Sequence, residues 1–342
     1  MAAAQKHIDP VRGESTWVGA DMRATDRWLY RLSVHDVADL EHGLASVRKR
    51  GLQIPFSRSD FPIGEFADTL AALRREMENG TGVVLVRDFP VDRWGLDGSR
   101  LCYWGIGAHL GTALAQTPRA ELLIDVRDEG GDQYKDPTAR GFHTNRRLPF
   151  HNDQGDVVGL LCLRTAKAGG LSSVASAAAI HNEILATRPD LLAVLYEPYY
   201  SDIRGEEPPG RKPYYAEPRF SMWNDKLFCV HGRTYIDSAQ RFPEVPRLTK
   251  AQIEATELVD KIAQSEKFRL DMDFLPGDIQ FLNNHVVLHT RTDFEDHPEP
   301  DKKRHLLRLW LRTPAYEELP LFFRPRYEDM EFWLHHPKER AA

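Results

Sequence analysis

Cysteine is scarce. Cys102, Cys162 and Cys229 are too few and too scattered for a disulfide framework or a zinc ribbon, and they read as small buried apolar residues. No segment approaches the roughly 20 apolar residues of a membrane span. The opening stretch MAAAQKHIDPVRGEST also lacks an apolar signal core. A cytoplasmic location with no membrane partner is therefore expected. Basic runs are missing too, and with a formal net charge of −6 nucleic acid drops out of the expected partners. The chain has neither an internal repeat nor a low-complexity segment. What remains, 42% hydrophobic and 28% charged over 342 residues, is the make-up of an ordinary globular chain with room for a large core. A single domain over 1–342 is expected, with a helical N-terminal elaboration over 1–80 and a C-terminal extension over 315–342.

Helix signals come early. Ser33 caps an apolar-periodic run that closes on a basic cluster before Gly51, and a second such run spans Glu65 to Gly80. TGVVLVRDF (81–89) then reads as a buried strand. From His151 onward the chain turns to short apolar runs: VVGLLCLR, SSVASAAAI, RFSMWNDKLFCVHG, FRLDMDFL, GDIQFLNNHVVLH and RHLLRLWLR. Asn224-Asp225 is a hairpin turn. Helical inserts are expected over 180–186 and 249–266, the second capped by Thr249. Many short strands with outer helices predict a mixed α/β chain dominated by β, with a jelly-roll core and flanking helices.

Within FHNDQ, His151 and Asp153 would share a strand face and project together into a barrel mouth. Alone the pair says little, since a histidine beside a loop aspartate is common. Further on, NNHVVLHTRTDFED supplies His285 and His289, expected in one strand, whose even spacing does not choose between them. The polar exit HTRTDFED favours His289, at the open end. In RHLLRLWLR, Arg304, Arg308 and Arg312 share a face with Leu306 and Trp310 between them. Arginines interleaved with bulky apolar residues suit carboxylates held in a water-poor cavity. Two histidines and one carboxylate form a facial triad, the arrangement of non-haem Fe(II) oxygenases.

FHNDQGDVVGLLCLRTAKAGGLSSVAS, LPGDIQFLNNHVVLHTRTDFED and RHLLRLWL together resemble the taurine dioxygenase (TauD/TfdA) family of Fe(II)- and 2-oxoglutarate-dependent dioxygenases, over roughly residues 80 to 315. The resemblance implies a double-stranded β-helix (jelly-roll, cupin-like) core, with Fe(II) bound and 2-oxoglutarate and O2 as co-substrates. It makes His151, Asp153 and His289 the catalytic iron ligands. Ser172, in AGGLSS, matches the hydroxyl residue that binds 2-oxoglutarate. Arg304 matches the anchor of that acid's distal carboxylate. Arg308 matches a residue that meets either the substrate's acid group or the other end of 2-oxoglutarate. The implied reaction attacks an unactivated C–H bond. Hydroxylation is the default, with desaturation or cyclisation as variants. Asp153 disfavours halogenation, because related halogenases have a small residue there.

The substrate is less visible in the sequence. Gln116, Asn152, Arg204 and Arg308 are candidate contacts, and Arg308 favours a small acidic molecule such as an amino acid. RGEEPPGRKP reads as a surface loop more than a lid. Phe322, Phe323, Phe332 and Trp333 are available either for a homo-oligomer contact or for packing back on the core. Two rival classes share these residues: a metal-dependent hydrolase using the same His/Asp/His set, and a non-catalytic β-sandwich binding protein. The arginine pair argues against a hydrolase, which has no use for a 2-oxo acid.

Overall fold

The computed structural model describes residues 8–131, 135–136 and 140–339, so the first seven residues of the expected N-terminal elaboration and the last three of the C-terminal extension lie outside it. The larger sheet runs in the order Leu29–Arg31, Val83–Arg87, Ile279–Asn283, Val157–Arg164, His305–Arg312, Thr112–Ala113, and Leu123–Val126 also pairs with His305–Arg312. Its first pair is parallel and the rest antiparallel. A smaller antiparallel sheet has the order Arg269–Met272, Ser172–Ser176, Val287–Arg291, Leu148–His151. Phe150, Val174 and Leu288 of the smaller sheet join Val158, Leu282 and Trp310 of the larger in one buried cluster, so the sheets pack face to face. This is the expected jelly-roll core.

Strand alternation explains why the larger sheet's strands read as unbroken apolar runs. Leu306 and Trp310 face the smaller sheet, whereas Leu307, Leu309 and Leu311 face a second cluster under helices Val34–Lys49, Phe66–Asn79 and Val91–Leu110. With both faces buried, no polar alternation is needed. The first helix starts where its cap predicts: Ser33 Oγ accepts from the Asp36 amide, and the Asp36 carboxylate accepts from the Ser33 amide. Thr249 caps Lys250–Gln264 in the same way, with Gln252 as its partner. The hairpin at Asn224-Asp225 joins Phe220–Trp223 to Lys226–Cys229 with both turn residues at positive φ.

Val91–Leu110 has no counterpart among the expected elements. Its glycines weaken helical propensity, and Gly95 kinks it at φ 62°. The glycines instead serve close packing: a Cβ on Gly105 would stand 2.3 Å from the Phe61 ring. The C-terminal aromatics pack inward. Phe323 and Trp333 are buried, Phe322 and Phe332 half-buried, and Trp333 Nε1 donates to the Glu206 carbonyl at 2.8 Å. Helix Arg324–His335 is thus part of the core's wall. All three cysteines are buried and free. Among the described residues no helix is long and apolar enough to cross a membrane.

Candidate active site

His151 and His289 face each other across the smaller sheet as registered partners, their rings 4.3 Å apart. Asp153 lies two residues past the end of Leu148–His151, so it reaches the site from a loop and not, as expected, from the same strand face. The three side chains bring one donor atom each within 4.8 Å of one another, and His289 Nε2 is 4.0 Å from Asp153 Oδ2. Donors on one face of an octahedral ion with bonds of roughly 2.1 Å stand about 3 Å apart, so the trio fits a metal after a small inward closure. His151 Nδ1 lies 2.8 Å from the Pro149 carbonyl. A carbonyl only accepts, so Nδ1 carries the proton and the Nε2 lone pair is free.

The electrostatics suit a cation. Burial pushes the His289 imidazole down to about 3, with His151 adding to the effect, and burial also lowers His151. Both rings are neutral at ordinary pH, as metal ligands must be. Burial, the largest single influence, opposes ionisation of Asp153, but the Arg308 guanidinium, the two histidines and Trp310 together outweigh it and hold the carboxyl below the usual range. Arg308 Nη1 lies 3.3 Å from both Asp153 oxygens.

His285 stands apart from the trio. It sits in the turn between Ile279–Asn283 and Val287–Arg291, not in a strand with His289. Its Nε2 pairs with Asp156 Oδ1 at 2.9 Å, and its ring packs against Phe228, Tyr316 and Phe323.

Ser172, Arg304 and Gln280 define a second polar locus between the sheets. Ser172 opens its strand opposite Arg291, and its Oγ accepts from Gln280 Nε2 at 3.4 Å. Arg304 is 6% exposed, its ring neighbour is Phe294, and Gly170 approaches its side chain with only 3.5 Å between an added Cβ and Nε. Arg304 Nη1 and Gln280 Oε1 are buried with no hydrogen-bond partner, and among the described residues no carboxylate pairs with the Arg304 guanidinium. Burial pushes Arg304 down to about 10. Burial, reinforced by Arg304, pushes Arg291 down to about 9. Two buried guanidiniums that repel one another, neither of them hydrogen-bonded to a carboxylate among the described residues, fit a ligand carboxylate. The sequence reading missed Gln280 and Arg291: nothing in spacing marks a glutamine inside a buried strand.

The other candidates divide. Arg308 and Asn152 line a cavity that reaches Asp153; Gln116 and Arg204 do not belong to its wall. Gln116 holds Arg308 from behind, its Oε1 accepting from Nε at 2.8 Å while its Nε2 donates to the Arg308 carbonyl at 2.9 Å. Arg204 is buried over the Tyr235 ring, at φ 60°. Asn152 is fully engaged: Nδ2 donates to the Asn284 and Val287 carbonyls, and Oδ1 accepts from the His231 amide. Arg304 and Arg308 occupy separate loci, but not as two members of one strand face: Arg304 precedes the strand His305–Arg312, whose register shifts between His305 and Leu306, and lies against Gly170, whereas Arg308 is inside the strand beside Asp153.

Fold and site together define a non-haem iron oxygenase of the cupin-like class. Residues 47–310 match the model of the taurine catabolism dioxygenase TauD, TfdA family. The chain belongs to this family of Fe(II)- and 2-oxoglutarate-dependent dioxygenases. It is similar to FR-33289 synthase of Streptomyces rubellomurinus, at 32% identity over 91% of this chain and 93% of that protein. Among solved structures it resembles an asparagine oxygenase in complex with Fe(II), 3-hydroxyasparagine and succinate, with TM-score 0.65 and 19% identity over 84% of this chain and 94% of that one. It also resembles the non-haem iron oxygenase OrfP with Fe and 2-oxoglutarate, with TM-score 0.61 and 17% identity over 83% and 93%.

Proposed function

We propose that the chain oxidises an unactivated C–H bond of a small acidic, amino-acid-like molecule, with hydroxylation the default outcome. His151, Asp153 and His289 hold the iron, and Arg304 with Ser172 anchors 2-oxoglutarate. The observation that carries this reading is the orphan cation: Arg304 is buried with an unpartnered Nη1, its side chain against Gly170, two residues before Ser172. A hydrolase or a passive β-sandwich has no use for such a group, whereas a dicarboxylate co-substrate supplies the missing acceptor.

Bound iron supplies the activation of dioxygen that no side chain can perform. The protein's own residues do the rest. Arg308 steadies Asp153 in its ionised form, and Gln116 steadies Arg308. Asn152 ties the ligand loop to the Asn284 and Val287 carbonyls, fixing Asp153 relative to His289. The ring faces of Phe142 and Trp310, each 4.6 Å from the Arg308 guanidinium, limit water around it. Once 2-oxoglutarate occupies the Arg304 locus, the cavity beside Asp153 and Arg308 is left for the primary substrate. The hydroxyasparagine carried by the asparagine oxygenase makes amino acids and their derivatives the first compounds to try. The test is anaerobic reconstitution with Fe(II) and 2-oxoglutarate, then a metabolite panel in air scored for succinate release. Release above the uncoupled background by one compound supports the reading; 2-oxoglutarate left unconsumed across the panel contradicts it.

A further inference from the structure

The cavity beside Asp153 holds a second cation that the iron and 2-oxoglutarate chemistry does not use. Arg219 lies between strands Tyr214–Pro218 and Phe220–Trp223 and is 1% exposed. Its Nη2 donates to the Glu217 carbonyl at 3.0 Å and to Ser201 Oγ at 3.3 Å. Nε and Nη1 are buried and have no partner.

The neighbouring charges only partly neutralise it. Arg140 pairs with Glu206, and Arg308 with Asp153. The buried Glu217 is gripped at both oxygens by Arg326, through Nε at 2.8 Å and Nη2, and Arg219 reaches that carboxylate only at 3.6 Å. Arg219 thus shares one carboxylate, Glu217, with Arg326, and its other electron-rich neighbour is the Tyr199 ring, 5.1 Å from the guanidinium, in a wall where Arg140 and Arg308 each have an acid of their own. A buried cation only partly compensated is costly unless a ligand completes it.

Acceptors in the same cavity are orphaned as well. The Asn284 amide is oriented by Nδ2 donating to the Gln154 and Gly155 carbonyls, which leaves Oδ1 buried without a donor. His231 Nε2 meets Asp260 Oδ1 at 2.8 Å and carries a proton there, so in the neutral ring the unpartnered Nδ1 is an acceptor. Wall and ligand are therefore complementary in a specific way.

We propose that Arg219 is the anchor for the acid group of the primary substrate, and that this substrate is a small oxyanion carrying a separate N–H or O–H donor for Asn284 Oδ1 or His231 Nδ1. The inference rests on the dioxygenase reading above and names the substrate class of that site. It moves the anchoring role from Arg308, whose Nε and Nη1 are taken by Gln116 and Asp153, to Arg219.

Acetate and methanesulfonate serve as oxyanion probes, with neutral acetamide as control. They are titrated by calorimetry into the wild-type protein, Arg219→Gln and Arg219→Lys, and methanesulfonate is located in crystals of the wild-type protein. Both anions should bind the wild type and lose roughly tenfold or more in affinity in Arg219→Gln, the loss of a charge-assisted hydrogen bond. Arg219→Lys should recover part of that affinity, acetamide should bind no form appreciably, and the crystal should show sulfonate oxygens on Arg219 Nη1. Equal anion affinity in Arg219→Gln, or a sulfonate seated on Arg308 instead, overturns the proposal. The visible band of the anaerobic Fe(II)–2-oxoglutarate complex reports folding and the site's class separately. If Arg219→Gln fails to form that band, the position of methanesulfonate in the wild-type crystal decides. If the wild type itself forms no band, the dioxygenase reading fails while the anion result still stands.

Discussion

Replacing Arg304 by methionine should move two quantities in opposite directions. In the metal-free fold no carboxylate among the described residues pairs with the guanidinium, and burial pushes it well below the ordinary arginine value, to about 10. At 1.36 kcal/mol per pKa unit that is roughly 3 kcal/mol held against the folded state. Because the folded-state value is the lower one, the penalty is present at every pH below about 10 and is shed only as pH rises above that towards the ordinary arginine value. Arg304→Met, which keeps the apolar stem among Cys162, Leu306 and Phe294, removes the penalty and should raise the melting temperature of the metal-free protein near neutral pH. The same change leaves the distal carboxylate of 2-oxoglutarate buried and unpaired. Breaking such a pair costs roughly 3–5 kcal/mol, or about two to three and a half powers of ten in dissociation constant. The assay titrates 2-oxoglutarate anaerobically into the Fe(II) protein, followed by the charge-transfer band, with no primary substrate present. Unchanged 2-oxoglutarate affinity in Arg304→Met would refute the anchor, and a large loss in Arg308→Met alone would transfer it there.

The remaining expectations concern the metal and its supports. His151→Ala, Asp153→Ala and His289→Ala should each abolish Fe(II)-dependent turnover with the fold intact by circular dichroism. His285→Ala should keep its iron and instead lose about 1–3 kcal/mol in denaturant unfolding, the cost of a buried hydrogen bond to Asp156; iron lost there but kept in His289→Ala would reverse the ligand assignment. Asn152→Ala strips one donor from two carbonyls and an acceptor from the His231 amide, so iron affinity and stability should fall together. A Cβ on Gly169, at φ 73°, would lie 2.3 Å from the Asp293 carbonyl, where backbone cannot yield. Gly169→Ala should therefore destabilise by roughly 1–3 kcal/mol and weaken 2-oxoglutarate binding, because the Ala168–Gly169 pairing with Phe294–Glu295 joins the Ser172 segment to the loop before Arg304. Thermal melts and the same anaerobic titration read both effects.

The sequence carried the parts of this account that repeat or cap. Ser33 and Thr249 marked helix starts because an N-cap is a local hydrogen bond, and apolar runs marked the doubly buried strands of the larger sheet. Parity failed where the chain turns. His285 and His289 have even spacing, but the Asn284–Val286 turn puts them in different elements, and only the polar exit after His289 pointed to the histidine that stands with His151 and Asp153. Asp153 projects towards His151 from beyond the strand, so the i, i+2 argument gave the right neighbours for the wrong geometric reason. Arg219, Gln280 and Asn284 were out of reach because their significance lies in what they lack. An orphaned donor or acceptor becomes visible only when every neighbour is in place. The glycine-bearing helix Val91–Leu110 was hidden by its own packing requirement.

Isotope labelling tests the central claim most directly. With the substrate found by the panel, turnover under 18O2 in unlabelled water should give succinate carrying one labelled oxygen atom, in proportion to product, and Asp153→Ala should give neither. Product formed while 2-oxoglutarate stays intact, with its new oxygen drawn from water, would contradict the account and return the His151, Asp153 and His289 site to the hydrolases.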